Sequence, residues 1–140
     1  MRGKTWVTRT GVHVDRIASA WLIRRFIDPD ARFRFVRPHD SIAAGELRFD
    51  MFEAEFTHEG DLCSFEVLLQ RFGLKDAALV RIGEIVHDID LKDGKFNHSE
   101  TAGFDHLIAG IAMRHKDDEA RLRDGAAVFE GLYEYFKRKR

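Results

Sequence analysis

A single cysteine, Cys63, occurs among the 140 residues. That excludes an internal disulfide and any zinc site built from cysteines alone, and it fits a reducing compartment. The chain also lacks a surplus of charge, since 23 Lys and Arg stand against 24 Asp and Glu for a formal net charge of -1. No global field recruits nucleic acid or anionic lipid, and the basic end Lys137-Arg138-Lys139-Arg140 is too short to reverse the balance. No apolar run approaches the ~18 residues of a membrane span, and Met1-Arg2-Gly3-Lys4-Thr5-Trp6 has no secretory apolar region. These absences predict a soluble, cytoplasmic protein with no direct contact to nucleic acid or membrane.

What is present suffices for a core. The chain is 44% hydrophobic with twelve Phe, and its 34% charged residues can cover the surface of one domain spanning residues 1–140. Seven His in so short a chain stand out, because imidazole titrates near neutrality and is the commonest metal ligand.

The pattern along the chain places strands early and helices late. Lys4 to Thr8 favours a strand, and Asp15 is read as the N-cap of a helix running to Ile27, where Asp28-Pro29 stops it. Ile17, Ala18, Ala20, Trp21, Leu22, Ile23, Phe26 and Ile27 surround that helix, so it is buried on more than one side. Ala31 to Arg37 and Glu46 to Met51 alternate as half-buried strands, paired through the loop around Pro38 and Gly45. Phe52 to His58 alternates as well, with His58 on the apolar side. Four helical stretches follow: one capped by Asp61 and ended by Gly73, then about Asp76 to Leu91, Glu100 to His115 and Asp118 to Lys137. The expected fold is α+β, a small antiparallel sheet of early strands packed against about five helices. The Phe129, Tyr133 and Phe136 stripe is read as core, with a homodimer face as the alternative.

One constellation carries metal-binding chemistry. Cys63 and Glu66 lie three residues apart on one helix and His87 and Asp90 share that spacing on the next, so both pairs fall on the border of an apolar stripe. The short Gly73-Leu74-Lys75 connection makes the two helices antiparallel, and His58 arrives just before Asp61. His58, Cys63, Glu66, His87 and Asp90 thus form a mixed N/S/O set for a divalent transition metal: zinc or iron with the thiolate, manganese or iron without it. Against this, Cys63 reads equally as a small buried hydrophobe, Glu66 as a partner of Arg71 or Arg81, and His87 as a hydrogen-bonded boundary residue, and no familiar zinc spacing is present.

A second candidate is the Arg9 to Asp15 turn, where a strand, a Gly-containing loop and a helix start can present amides to an oxyanion. Arg9 and Arg16 add charge, His13 is a proton carrier, and Arg24 falls on the Ile17 and Trp21 side of the helix. The plainer alternative is a capped helix whose Arg24 pairs with Asp50 or Glu53. His39, His98, His106 and His115 are read as surface residues, and no serine carries an elbow motif. Cys63 as a nucleophile, with His58 or His87 as its base, ranks below a ligand role.

The stretches Lys4-Thr5-Trp6-Val7-Thr8-Arg9, His13 to Asp28, Cys63-Ser64-Phe65-Glu66 and Ile85-Val86-His87-Asp88-Ile89-Asp90 resemble the ChrB-type chromate-resistance domain family, over about Lys4 to Tyr133. The resemblance implies a cytoplasmic role in chromate resistance. It is to the C-terminal domain, whereas full-length relatives carry an N-terminal region associated with transcriptional control, so DNA binding is not carried over. The family's recurrent segments include Cys63, Glu66, His87 and Asp90. The leading expectation is a metal-binding domain with a redox or small-oxyanion site. The alternative is a non-enzymatic sensor or accessory module for chromate or a partner protein, and a third is redox reaction at Cys63 itself.

Overall fold

Trp6, Val7 and Thr8 are β-favouring and buried, and they form the middle of β1 (Thr5–Arg9). In this computed structural model, which describes residues 2–51 and 54–138, β1 is also the central strand of the sheet. It runs into α1 (Val14–Leu22), which widens into a π-helical turn over Ile23–Ile27 before β2 (Arg32–Val36). Asp28 ends this helical stretch, and its carboxylate accepts from the amides of Gly3 at 2.6 Å and Lys4 at 2.8 Å and from Trp6 Nε1 at 3.1 Å.

The sheet has three strands in the order β2-β1-β3, and all of them are parallel. Trp6 stands opposite Phe33 of β2 and Leu47 of β3, which spans only Leu47–Arg48. The expectation of an antiparallel sheet is therefore overturned. Alternation of apolar residues reports which face of a strand is buried and carries no information about direction. Here α1 is a crossover connection, which obliges β1 and β2 to run the same way, and β2 and β3 each pair with β1 instead of with each other. The segment expected to alternate from Phe52 to His58 is not a strand where it is described: Phe56 makes an isolated bridge to Phe49, and Phe52 and Glu53 lie outside the described residues.

The helices follow the sequence pattern closely. α2 (Ser64–Arg71), α3 (Ala77–Leu91), α4 (Thr101–Arg114) and α5 (Asp118–Arg138) pack around α1. Asp76 caps α3 by accepting from the Ala78 amide at 2.8 Å, and it also accepts from Tyr133 Oη of α5 at 2.7 Å. Phe129 and Tyr133 are buried against Trp21, so the stripe on α5 is core. Phe65 and Leu69 of α2 meet Gly83 of α3, while Glu66 meets His87, a register that makes the two helices antiparallel as expected.

Two expected helix starts differ. His13 occupies the N-cap position of α1 with no side-chain hydrogen bond, and Cys63, not Asp61, occupies that of α2. Asp15 and Asp61 are thereby released from capping their own helices.

Candidate functional site

Asp15 is 2% exposed at the start of α1, and its carboxylate crosses to α2, where its oxygens accept from the amides of Ser64 at 2.9 Å and Phe65 at 3.0 Å. A helix N-terminus presents such unsatisfied donors, so Asp15 caps α2 from outside. Burial pushes its carboxyl up to about 8, and the nearby Asp50 and Asp90 add to this against the pull of the two amides.

Asp50 follows β3 with a φ of 48°, a left-handed turn that a short polar side chain tolerates. Its carboxylate accepts from Ser64 Oγ at 2.8 Å and pairs with Arg16 Nε at 3.1 Å. Burial raises its pKa above the usual range, with Ser64 and Arg16 acting in opposition and Asp90 adding to the rise.

His58 is the accessible member, with its side chain 46% exposed. Its Nε2 lies 2.9 Å from Asp90 of α3 and 3.6 Å from Asp15, and donor atoms of Asp15, Asp50 and His58 all fall within 4.8 Å of one another. Burial alone would depress the imidazole, but the bond to Asp90 and the charges of Asp15 and Asp50 raise it above its ordinary value. Three carboxylates from three parts of the chain thus converge on one ring.

A second cluster abuts the first at the same helix end. Donor atoms of Cys63, Glu66 and His87 lie within 4.8 Å of one another, and Glu66 accepts from the Cys63 amide at 3.0 Å. His87 is fully buried, with Nδ1 2.6 Å from Glu66 and Nε2 2.8 Å from Asp93. Burial opposes its charge, yet the bonds to Glu66 and Asp93 outweigh burial and raise its pKa above the ordinary imidazole value. Burial, then the charge of Asp15, pushes the Cys63 thiol far up, and it stays a neutral thiol at physiological pH.

The five residues singled out in the sequence therefore divide. His58 and Asp90 bond each other beside Asp15 and Asp50, whereas Cys63, Glu66 and His87 form the adjoining group with Asp93. Consecutive amides at the start of α2 serve both, with Cys63 donating to Glu66 and Ser64 to Asp15. Asp15, Asp50 and Asp93 were not expected here. A carboxylate in a helix that is apolar all round was the available signal for Asp15, but N-capping explained it locally. Nothing in sequence order pointed to Asp50 or Asp93.

The turn proposed for an oxyanion has another arrangement. The carboxylate of Asp118, at the start of α5, accepts from the amides of Gly11 at 3.0 Å and Val12 at 2.8 Å, so an internal anion already uses those donors. Arg9 ends β1, His13 is exposed, and Arg16 pairs with Asp50. Burial, then the charges of Arg121 and Arg16, lowers the His13 pKa. Arg24 lies more than two turns further on, where Nη2 donates to the Ala31 carbonyl at 2.9 Å. Arg71 and Arg81 pair with Glu59 and Glu100, which leaves Glu66 to His87. Of the histidines expected at the surface, His39 and His106 are exposed, but His98 and His115 are partly buried against Glu84 at 2.7 Å and Asp124 at 2.6 Å. Among the described residues no helix is long and apolar enough to cross a membrane.

The profile of the family described as "ChrB, C-terminal domain" matches residues 6–136. Over 140 residues the chain is 42% identical to "Protein ChrB" of Cupriavidus metallidurans, an alignment that covers 99% of this chain and 43% of the relative. The chain thus spans less than half the length of that curated relative. No solved structure matches. The resemblance to the ChrB-type domain is borne out, and the chain belongs to the ChrB C-terminal domain family.

Proposed function

We propose that this domain serves chromate resistance as a metal-binding unit, with a divalent cation held by Asp15, Asp50, His58 and Asp90. Membership of the ChrB family supports the link to chromate resistance. The observation that carries the metal reading is the gathering of Asp15, Asp50 and Asp90 about the His58 ring, with Asp15 so deeply buried that its pKa rises to about 8. Charging three acids in one place is costly, and among the described residues Asp15 accepts from two amides, Asp50 pairs with Arg16 and Asp90 bonds His58 Nε2. A divalent cation displacing the Nε2 proton would neutralise the group better.

The donor chemistry fits. Three carboxylates and one imidazole form a hard oxygen-rich set, which favours manganese or iron over thiolate-preferring zinc. Cys63, Glu66 and His87 then support the site: Glu66 and His87 fix the α2 N-terminus, and Asp15 reaches that terminus to hold its own orientation. Bound there, the metal would supply a Lewis-acidic or redox-active centre at the exposed edge of His58 for a small oxyanion such as chromate. Arg16, bonded to Asp50 and 3.4 Å from the Thr10 carbonyl, is the cation nearest that edge from α1. The expected setting is the cytoplasm.

Calorimetric titration of chelator-treated, untagged protein with manganese chloride and, under anaerobic conditions, ferrous sulfate tests the reading. One ion per chain is expected, with binding lost in His58→Ala and Asp90→Asn and retained in Cys63→Ser. Absence of binding heat, or binding that survives His58→Ala and Asp90→Asn, would overturn it.

A further inference from the structure

α1 begins at the carboxylate cluster, and its other end borders an opening of a different kind. A groove of about 600 Å³ lies between the end of α1, β2 and α5. Trp21, Phe33, Phe35 and Leu122 give it an apolar, largely aromatic floor. Three guanidinium groups, those of Arg24, Arg25 and Arg123, stand among its walls, against one carboxylate, Glu119. Arg25 and Arg123 have acidic partners in Glu130 and Asp124. Arg24 has none among the described residues: it donates from Nη2 to the Ala31 carbonyl and lies 4.6 Å above the Phe33 ring.

The helix itself departs from regularity at this place. A continuous α-helix would set Arg24 on the line of Ile17 and Trp21, both buried. The stretch Ile23–Ile27 is instead a π-helical turn, closed by the Asp28 amide on the Ile23 carbonyl at 2.7 Å, and Arg24 and Arg25 are exposed beside the groove. Single π turns inserted into α-helices are rare and concentrate at functional sites. The turn moves an arginine out of the core line and on to the wall of an aromatic cavity.

We propose that this groove is a ligand site separate from the carboxylate cluster and that it takes an organic anion with a flat apolar body, an aromatic carboxylate, sulfonate or phosphate ester. The body would lie on Trp21, Phe33 and Phe35, and the anionic group would meet the Arg24 guanidinium, whose Nε and Nη1 make no hydrogen bond among the described residues. Size separates this ligand from a simple tetrahedral oxyanion. Five heavy atoms would leave most of 600 Å³ to water and the aromatic floor without a partner.

The test uses two naphthalene probes that differ in charge, 8-anilinonaphthalene-1-sulfonate and the uncharged N-phenyl-1-naphthylamine, titrated against the full chain by fluorescence. Saturable binding of the sulfonate at one site per chain is expected. Arg24→Gln should weaken the sulfonate by about tenfold, the scale of one charged hydrogen bond, and leave the neutral probe within about twofold. Ala126→Trp, which fills the groove from α5, should remove both, with circular dichroism confirming that each variant is folded. No saturable binding, a sulfonate affinity unchanged by Arg24→Gln, or retention of both probes in folded Ala126→Trp would overturn the proposal.

Discussion

Asp15 and Asp28 are both buried and both accept backbone amides, yet they titrate in opposite directions. Burial raises each, but Asp28 receives Trp6 Nε1 and the amides of Lys4, Gly3 and Asp30, and these bonds hold it below the usual carboxylate range. Asp15 receives two amides and faces Asp50 and Asp90, so it is held up to about 8. For Asp28 the folded pKa is depressed, so its contribution is present above the unfolded pKa and fades as pH falls through the folded value. Asp28→Ala leaves the donors of Gly3, Lys4 and Trp6 without their acceptor and should cost about 2 kcal/mol or more at neutral pH, read as a lower urea midpoint. For Asp15 the sign reverses. Between the unfolded value of 3.8 and about 8 the unfolded chain binds fewer protons, and stability falls as pH rises. The raised pKa values of His58 and His87 act the same way, since their contribution is full below 6.5 and is lost as pH rises through the folded values. Metal-free protein should therefore show a lower urea midpoint at pH 9 than at pH 6, with a shallower fall in Asp15→Asn. An equal or higher midpoint at pH 9 would contradict this.

At the scale of elements, α1 and α5 approach so closely that a glycine is required. A Cβ added at Gly125 would sit 2.4 Å from Ile17 Cγ2, whereas one added at Gly131, six residues along the same helix, would meet nothing within 4 Å. Gly131→Ala should stabilise by roughly 0.5–1 kcal/mol through helix propensity. Gly125→Ala should destabilise by about 1–3 kcal/mol despite the same propensity gain, because the contact forces Ile17 to move. Thermal melts of the two variants check the opposite signs. This contrast also marks what the sequence can and cannot tell. Asp76, the 3.6-residue period of Leu79, Ile82, Val86 and Ile89, and the Gly73 stop are local signals, so α2 to α5 were legible nearly to their ends. Strand direction was not, because Phe33, Phe35, Leu47 and Phe49 alternate equally well in either orientation. The site was legible in part for the same reason. Spacing on α2 and α3 brought Cys63, Glu66 and His87 together, but only tertiary packing shows that Asp90 bonds His58, that Asp15 reaches the α2 amides and that Asp50 turns toward Ser64.

For the molecule as a whole, α1 is the common part. It connects the two principal strands, carries Asp15 and Arg16 at one end, packs on α5 through Ile17, and widens at its other end beside the aromatic groove. A cation at Asp15, Asp50, His58 and Asp90 would tie α1, the segment after β3 and α3 together, and so would stabilise the domain globally. Metal at a hundredfold excess over its dissociation constant should add about 2.7 kcal/mol. Chelator should reverse the rise in melting temperature, and His58→Ala should show no rise. The most direct measurement is anomalous diffraction from crystals grown with manganese, recorded where manganese scatters anomalously. The account predicts a single peak bounded by the Asp15, Asp50 and Asp90 carboxylates and His58 Nε2. Its absence, or a peak between Cys63, Glu66 and His87 instead, would contradict the proposed centre.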